Sequence, residues 1–137
     1  MLEPEDILTL MGKEARKVCD TVVPDRPNAS TERLTSFIVV SLPYSILNKL
    51  IGENDDWWLD MTVTFEIYVA DRQSASNPKE FNKDVMKSLR ANLKALFPMV
   101  DSARRFKITR PKTVIPFVSD GNGYHRSRIQ AKMSTMV

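Results

Sequence analysis

Asp60 and Glu66 are the carboxylates whose placement first invites a chemical reading. Both belong to the stretch Trp57 to Ala70, WWLDMTVTFEIYVA, in which the odd positions are apolar and the even ones include Asp60, Thr62, Thr64 and Glu66. That two-residue period is a strand with one buried face, which puts the two acids on one side and roughly 20 Å apart if the strand is straight. They cannot share a metal without a sharp bend. A metal-dependent nuclease would also carry a lysine two positions after an acid to activate water, and Tyr68 occupies that place after Glu66. His125 is the sole histidine, so neither a histidine metal cluster nor a two-histidine acid/base pair can form. Cys19 is the sole cysteine; paired with His125 it could be a nucleophile, but free cysteine is usually a small buried hydrophobe and nothing local favours more. The run Asp120-Gly121-Asn122-Gly123 lacks phosphate-loop spacing and precedes a strand, so it reads as a hairpin turn. No Cys/His spacing suits zinc. No enzyme, cofactor or metal is expected from these residues.

The basic residues are the stronger signal. From Arg104 to Val137 there are eight (Arg104, Arg105, Lys107, Arg110, Lys112, Arg126, Arg128 and Lys132) against the single acid Asp120, while the whole chain is only +3; the first 103 residues therefore carry about −4 by difference. On a strand from Tyr124 to Met133, Tyr124, Arg126, Arg128, Gln130 and Lys132 share one face, and His125, Ser127, Ile129, Ala131 and Met133 the other. Arg126, Arg128 and Lys132, with Arg104 and Arg105, form the candidate surface for a neighbouring subunit or for DNA. A free-standing basic nucleic-acid-binding protein is the alternative, but Tyr124 is the one aromatic on that face and no recognition helix is evident. Lys83, Lys87, Arg90 and Lys94 read as the solvated face of a helix.

The elements that must position these groups follow from periodicity. At 137 residues and 42% hydrophobic content the chain, residues 1–137, fits one domain with a real core. Pro4 and the recurrence of Ile7, Leu8, Met11, Ala15, Val18 and Val22 predict a helix reaching Pro24. Residues 24–35 read as a mobile loop, FIVVSL at 37–42 as an interior strand, and Ile46 to Ile51 as a short helix closed by Gly52. After the long strand comes a mobile loop at 71–78. A second helix then follows, capped by Asn77, started by Pro78, buried through Phe81, Val85, Leu89, Leu93 and Leu96 with Met86 and Phe97 broadening the stripe, and ended by Pro98. Arg105 to Thr109 and Thr113 to Val118 read as two short strands broken at Pro111, and the last joins Tyr124 to Met133 as a hairpin. The resulting class is α+β: a mostly antiparallel sheet with one very long strand, flanked by two main helices. Fourteen residues would extend roughly 45 Å, so the long strand either bends or projects for another copy to cover. The acidic start MLEPEDIL is unlike a secretory signal, and no apolar run could cross a bilayer, which predicts a soluble intracellular product with no membrane partner.

In this order of elements the chain resembles the tail-terminator and tail-completion (neck, head-tail joining) proteins of tailed bacteriophages. The resemblance rests on FEIYVADR leaving the long strand, on SASNP with its helix KEFNKDVMKSLRANLKALFP, and on the hairpin VIPFVSDGNGYHRSRIQAKM, and covers about residues 5 to 134. It implies a structural virion protein without catalysis, assembled in the host bacterial cytoplasm. It also implies a homo-oligomeric ring of six or twelve copies at the neck, bound to tail-tube and portal or connector proteins, with DNA passing through the channel without sequence specificity.

Overall fold

The computed structural model describes residues 4–24, 36–42, 48–51, 56–71, 81–119 and 123–135. Helix α1 spans Pro4–Ala15, with Glu5 and Asp6 in its first turn and Lys13 in its last, as the helix dipole favours. Ile7, Leu10, Met11 and Ala15 form its buried face. It stops nine residues short of Pro24, because Val22–Pro24 is strand β1. β-branched Val22 and Val23 lose rotamer freedom in a helix but fit a pleated edge, and here they pair with Ile38 and Val39.

Strand β2 (Ser36–Ser41) is interior, lying between β1 and β4. The short helix expected over 46–51 is instead strand β3, Asn48–Ile51, paired with β4 from Asp56 to Leu59. A six-residue helix is marginal by itself, so ladder hydrogen bonds to a neighbouring strand decide the conformation. The long alternating stretch is β4 (Asp56–Ala70), 15 residues. It has long companions in β6 (Phe106–Ser119, 14 residues) and β7 (Tyr124–Thr135, 12 residues). β6 is continuous where two strands were expected, absorbing Pro111 through register shifts against β7 at Ile108/Pro111 and Pro111/Thr113. Among the described residues its outer side is paired only at Lys107 and Ile108, by β5 (Met99–Val100), so Pro111, opposite Ala131 of β7 at an irregularity of register, lies on an otherwise open edge, where a sheet tolerates proline.

The sheet order is β1-β2-β4-β7-β6-β5, with β3 also on β4. β1 and β2 run parallel, which makes the sheet mixed; the β2, β3 and β7 pairs with β4, and the β6 pairs with β5 and β7, are antiparallel. The α+β class read from the sequence stands.

Helix α2 runs Lys83–Lys94 after Asn82, which makes no side-chain cap bond. The expected cap and start, Asn77 and Pro78, fall outside the described residues, as do 25–35 and 72–78 of the loops expected over 24–35 and 71–78. Of the expected stripe Met86, Leu93 and Phe97 are buried and Leu89 and Leu96 pack against the core, whereas Val85 is 39% exposed. Phe81 precedes the helix; it still packs against the main core, and its ring stacks on His125.

Both helices cover one face of the sheet, α1 over β1, β2 and β5 and α2 over β4. Between them lie Ile38, Val40, Val63, Phe65, Ile67, Val69, Phe106, Ile108, Ile129, Ala131 and Met133. Phe65 meets Phe97 edge-on at 5.6 Å. A second cluster, Phe37, Val39, Tyr68 and Tyr124, occupies the opposite face. This second cluster is why β2 had to be apolar on both sides.

Candidate functional site

The face opposite the helices is built by three strands acting as rungs. Strand alternation sends Thr62, Thr64, Glu66 and Tyr68 of β4 to this side, and register places them beside Lys132, Gln130, Arg128 and Arg126 of β7. β6 continues the rows with Ile115 opposite Arg128 and Val118 opposite Arg126.

Glu66 is the centre of this face. Its carboxylate accepts from Arg128 Nη2 at 3.2 Å, from Arg126 Nη1 at 3.5 Å and from the Tyr68 hydroxyl at 3.3 Å. One acid thus holds two arginines whose side chains stay 39% (Arg126) and 36% (Arg128) exposed, leaving the trio with one net positive charge in reach of solvent. Burial raises the Tyr68 phenol above its ordinary value; the Arg126 contact opposes this and the Glu66 charge adds to it. Phe37 stacks on Tyr68 at 4.7 Å and meets Tyr124 edge-on at 5.5 Å, so a dry aromatic block abuts the charged row.

The five basic residues singled out from the sequence do not form one surface. Arg126, Arg128 and Lys132 share the β7 face, and the backbone carbonyl of Lys132 accepts from the Thr109 hydroxyl. Arg105 lies in the turn between β5 and β6 and ties that turn to α1: Nε donates to Asp101 at 2.9 Å and Nη1 to Asp6 at 3.2 Å. Arg104, in the same turn, adopts φ 58, with its N–H donating to the Asp101 carbonyl. The Arg105 guanidinium holds the Asp101 carboxyl below the usual range, and Asp101 in turn raises Arg105.

The nuclease geometry does not assemble. Asp60 pairs with Ser134 and Glu66 with Arg128 along one strand, and the Glu66 carboxylate is already engaged by arginines. Cys19 Sγ lies 3.6 Å from the Thr21 carbonyl and 3.9 Å from Ser36 Oγ, with Val69 of β4 intervening between the Ser36 and His125 positions of the ladder. His125 instead meets Asp71: Nδ1 and Oδ1 are 2.5 Å apart, Phe81 stacks on the imidazole at 4.4 Å, and the Asp71 N–H donates to the Gly123 carbonyl. This clasp joins the end of β4, the start of β7 and the approach to α2. Sequence reading missed it because Asp71 and Phe81 are far from His125 along the chain and share no local motif with it.

No protein-family model and no curated protein matches the chain. Solved structures do. One, whose name carries no functional description, shares 12% identity with a TM-score of 0.58, covering 100% of this chain and 98% of that one. The sheath/tube terminator of an extracellular contractile injection system (PVC), in its extended state, shares 14% identity with a TM-score of 0.46, covering 100% of this chain and 58% of that one. A chain of the virion of a native gene transfer agent particle shares 8% identity with a TM-score of 0.45, covering 88% and 83%. At 12% identity, what this chain shares with the first of these is its fold alone.

Proposed function

We propose that the protein is a structural subunit of a phage-tail-like virion, closing into a ring of six or twelve copies at the neck, where it terminates the tail tube or joins it to the head. The observation that carries this reading is a mismatch of lengths. β4 has 15 residues and would extend about 50 Å, whereas α1 and α2 have 12 residues each and cover about 18 Å apiece. A sheet that outruns its own helices needs another layer. Further copies of the chain supply it most simply, and the charge difference between the two parts of the sequence favours a head-to-tail contact of the ring-closing kind.

In this reading the work is done by surface complementarity, without catalysis. Arg126 and Arg128, steadied by Glu66, and Lys132 face a neighbour, the tail tube or portal, or the DNA passing through. A row already partly neutralised by Glu66 would let DNA slide. Among the described residues no helix is long and apolar enough to cross a membrane, and the virion is the proposed location.

The test is to mix purified protein with tail tubes and image them by negative-stain electron microscopy. Rings capping one end are expected, and they should disappear when Arg126, Arg128 and Lys132 are all reversed to Glu. Tubes left bare by the native protein would refute the role, and capping that survives the reversal would refute the part given to the basic row.

A further inference from the structure

The face opposite the helices has a chemistry that its arginines alone do not describe. Of the four large apolar side chains that stay exposed among the described residues, two stand here: Ile115, 36% exposed, and Val118, 45%. They are three positions apart, a spacing that sends side chains to opposite faces of a regular strand. The register shift between them lets both fall in the arginine rows, Ile115 opposite Arg128 and Val118 opposite Arg126. Each row thus ends in an aliphatic group beside a guanidinium that Glu66 steadies. Among the described residues only β5 lies beyond β6, and it pairs with Lys107 and Ile108, so no further strand shields this margin.

A phosphodiester backbone gains from the guanidiniums and nothing from isoleucine or valine, whereas arginine set against apolar carbon is the composition of a protein interface. A sheet with helices on one face and apolar side chains open on the other calls for a second layer there. The helical side of another copy can supply it. Of the two helices, α2 exposes Lys83, Lys87 and Lys94 and would be repelled. Helix α1 instead opens with Glu5 and Asp6 and has no base before Lys13; Asp6 is shared with Arg105, and Glu5 is exposed.

We infer that the face of Ile115, Val118, Arg126 and Arg128 in one copy receives the acidic first turn of α1 from the next, carboxylate meeting guanidinium and the aliphatic pair buried under the helix. The two surfaces lie on opposite sides of the sheet, so the contact is heterologous and repeats from copy to copy. The inference rests on the subunit reading above, names the surfaces that meet, and gives this face to protein in place of DNA.

Ile115→Ser with Val118→Ser changes exposed positions alone and should leave the melting temperature unaltered. In light scattering of the full chain over a concentration series, the native protein should assemble, and this variant should need about tenfold more protein to do so. Val118→Glu should weaken assembly as well, and Glu5→Lys combined with it should restore it. Assembly indifferent to the serine pair, or a Val118→Glu defect that Glu5→Lys leaves unrepaired, would overturn this docking, while ring capping of tail tubes would still uphold the subunit reading. A native chain that stays monomeric at every concentration would overturn both. A gel shift with double-stranded DNA at physiological salt reads the rival occupant, and no retardation is expected. Retardation abolished by Arg126→Gln with Arg128→Gln and untouched by the serine pair would give the face to nucleic acid and overturn the inference.

Discussion

Replacing Glu66 with Gln keeps the shape of the β4 row and removes the charge that holds two arginines. The substitution weakens the ion pairs with Arg128 at 3.2 Å and Arg126 at 3.5 Å. A hydrogen bond to a charged group is worth ~1.5–3 kcal/mol when buried, and both guanidiniums are about a third or more exposed, so solvent screening reduces each to about 0.5–1 kcal/mol. The sum is ~1–2 kcal/mol, or about 3–6 °C in Tm for a domain of this size. The assay is urea and thermal unfolding of Glu66→Gln, of Arg128→Met, which retains most of the apolar stem, and of the double variant. Residues in direct contact should couple by ~0.5 kcal/mol or more. Additive effects would refute the view that Glu66 organises the basic row. The same substitution removes a carboxylate that helps to raise Tyr68, so its phenol should ionise at lower pH than in the native protein while burial keeps it above the ordinary tyrosine value.

Other expectations follow from the same network. Asp101→Asn should cost about 1–2 kcal/mol in urea unfolding, because Asp101 accepts from both the backbone N–H and Nε of Arg105, with solvent screening part of the second bond. The depressed folded pKa of Asp101 contributes stability that is present above the unfolded value near ~4 and disappears as pH falls through the folded value, so acid titrations of the native protein and of Asp101→Asn should converge at low pH. His125→Ala should destabilise the fold by about 1–3 kcal/mol, with amide exchange accelerating first around Asp71 and Gly123. Phe65→Ala, at a position fully buried against Phe97, should cost ~3–5 kcal/mol, whereas Val118→Thr, on the open edge, should stay within about 0.5 kcal/mol by the same denaturation assay.

Strands with strict alternation were legible because burial on one side leaves no freedom of register: Val63, Phe65, Ile67 and Val69 lie inside as their spacing requires, and so do Ile129, Ala131 and Met133 on β7. The division of β7 into a core face and a basic face was legible for the same reason. Misreadings fell where a local pattern was short and a distant partner decided the outcome. Val22 continued a helical stripe yet pairs with Ile38; Leu50 and Ile51 read as a helical turn yet pair with Trp57 and Asp56. Phe81 fitted the helix stripe yet stacks on His125. The candidate surface was readable as a row of cations, but the pairing of Glu66 with that row depended on register between β4 and β7, which sequence spacing on either strand does not contain. Arg105 was separated from that row for a similar reason, since its partners Asp6 and Asp101 come together only through the packing of α1 beside β5.

The reading of the sheet's excess length over its helices as a subunit interface is tested most directly by native mass spectrometry of the full chain at rising concentration. A discrete closed oligomer of six or twelve copies is expected, without a ladder of open-ended sizes. A monomer that persists at every concentration, with the amides of Asp56 to Leu59 already protected from exchange, would contradict it.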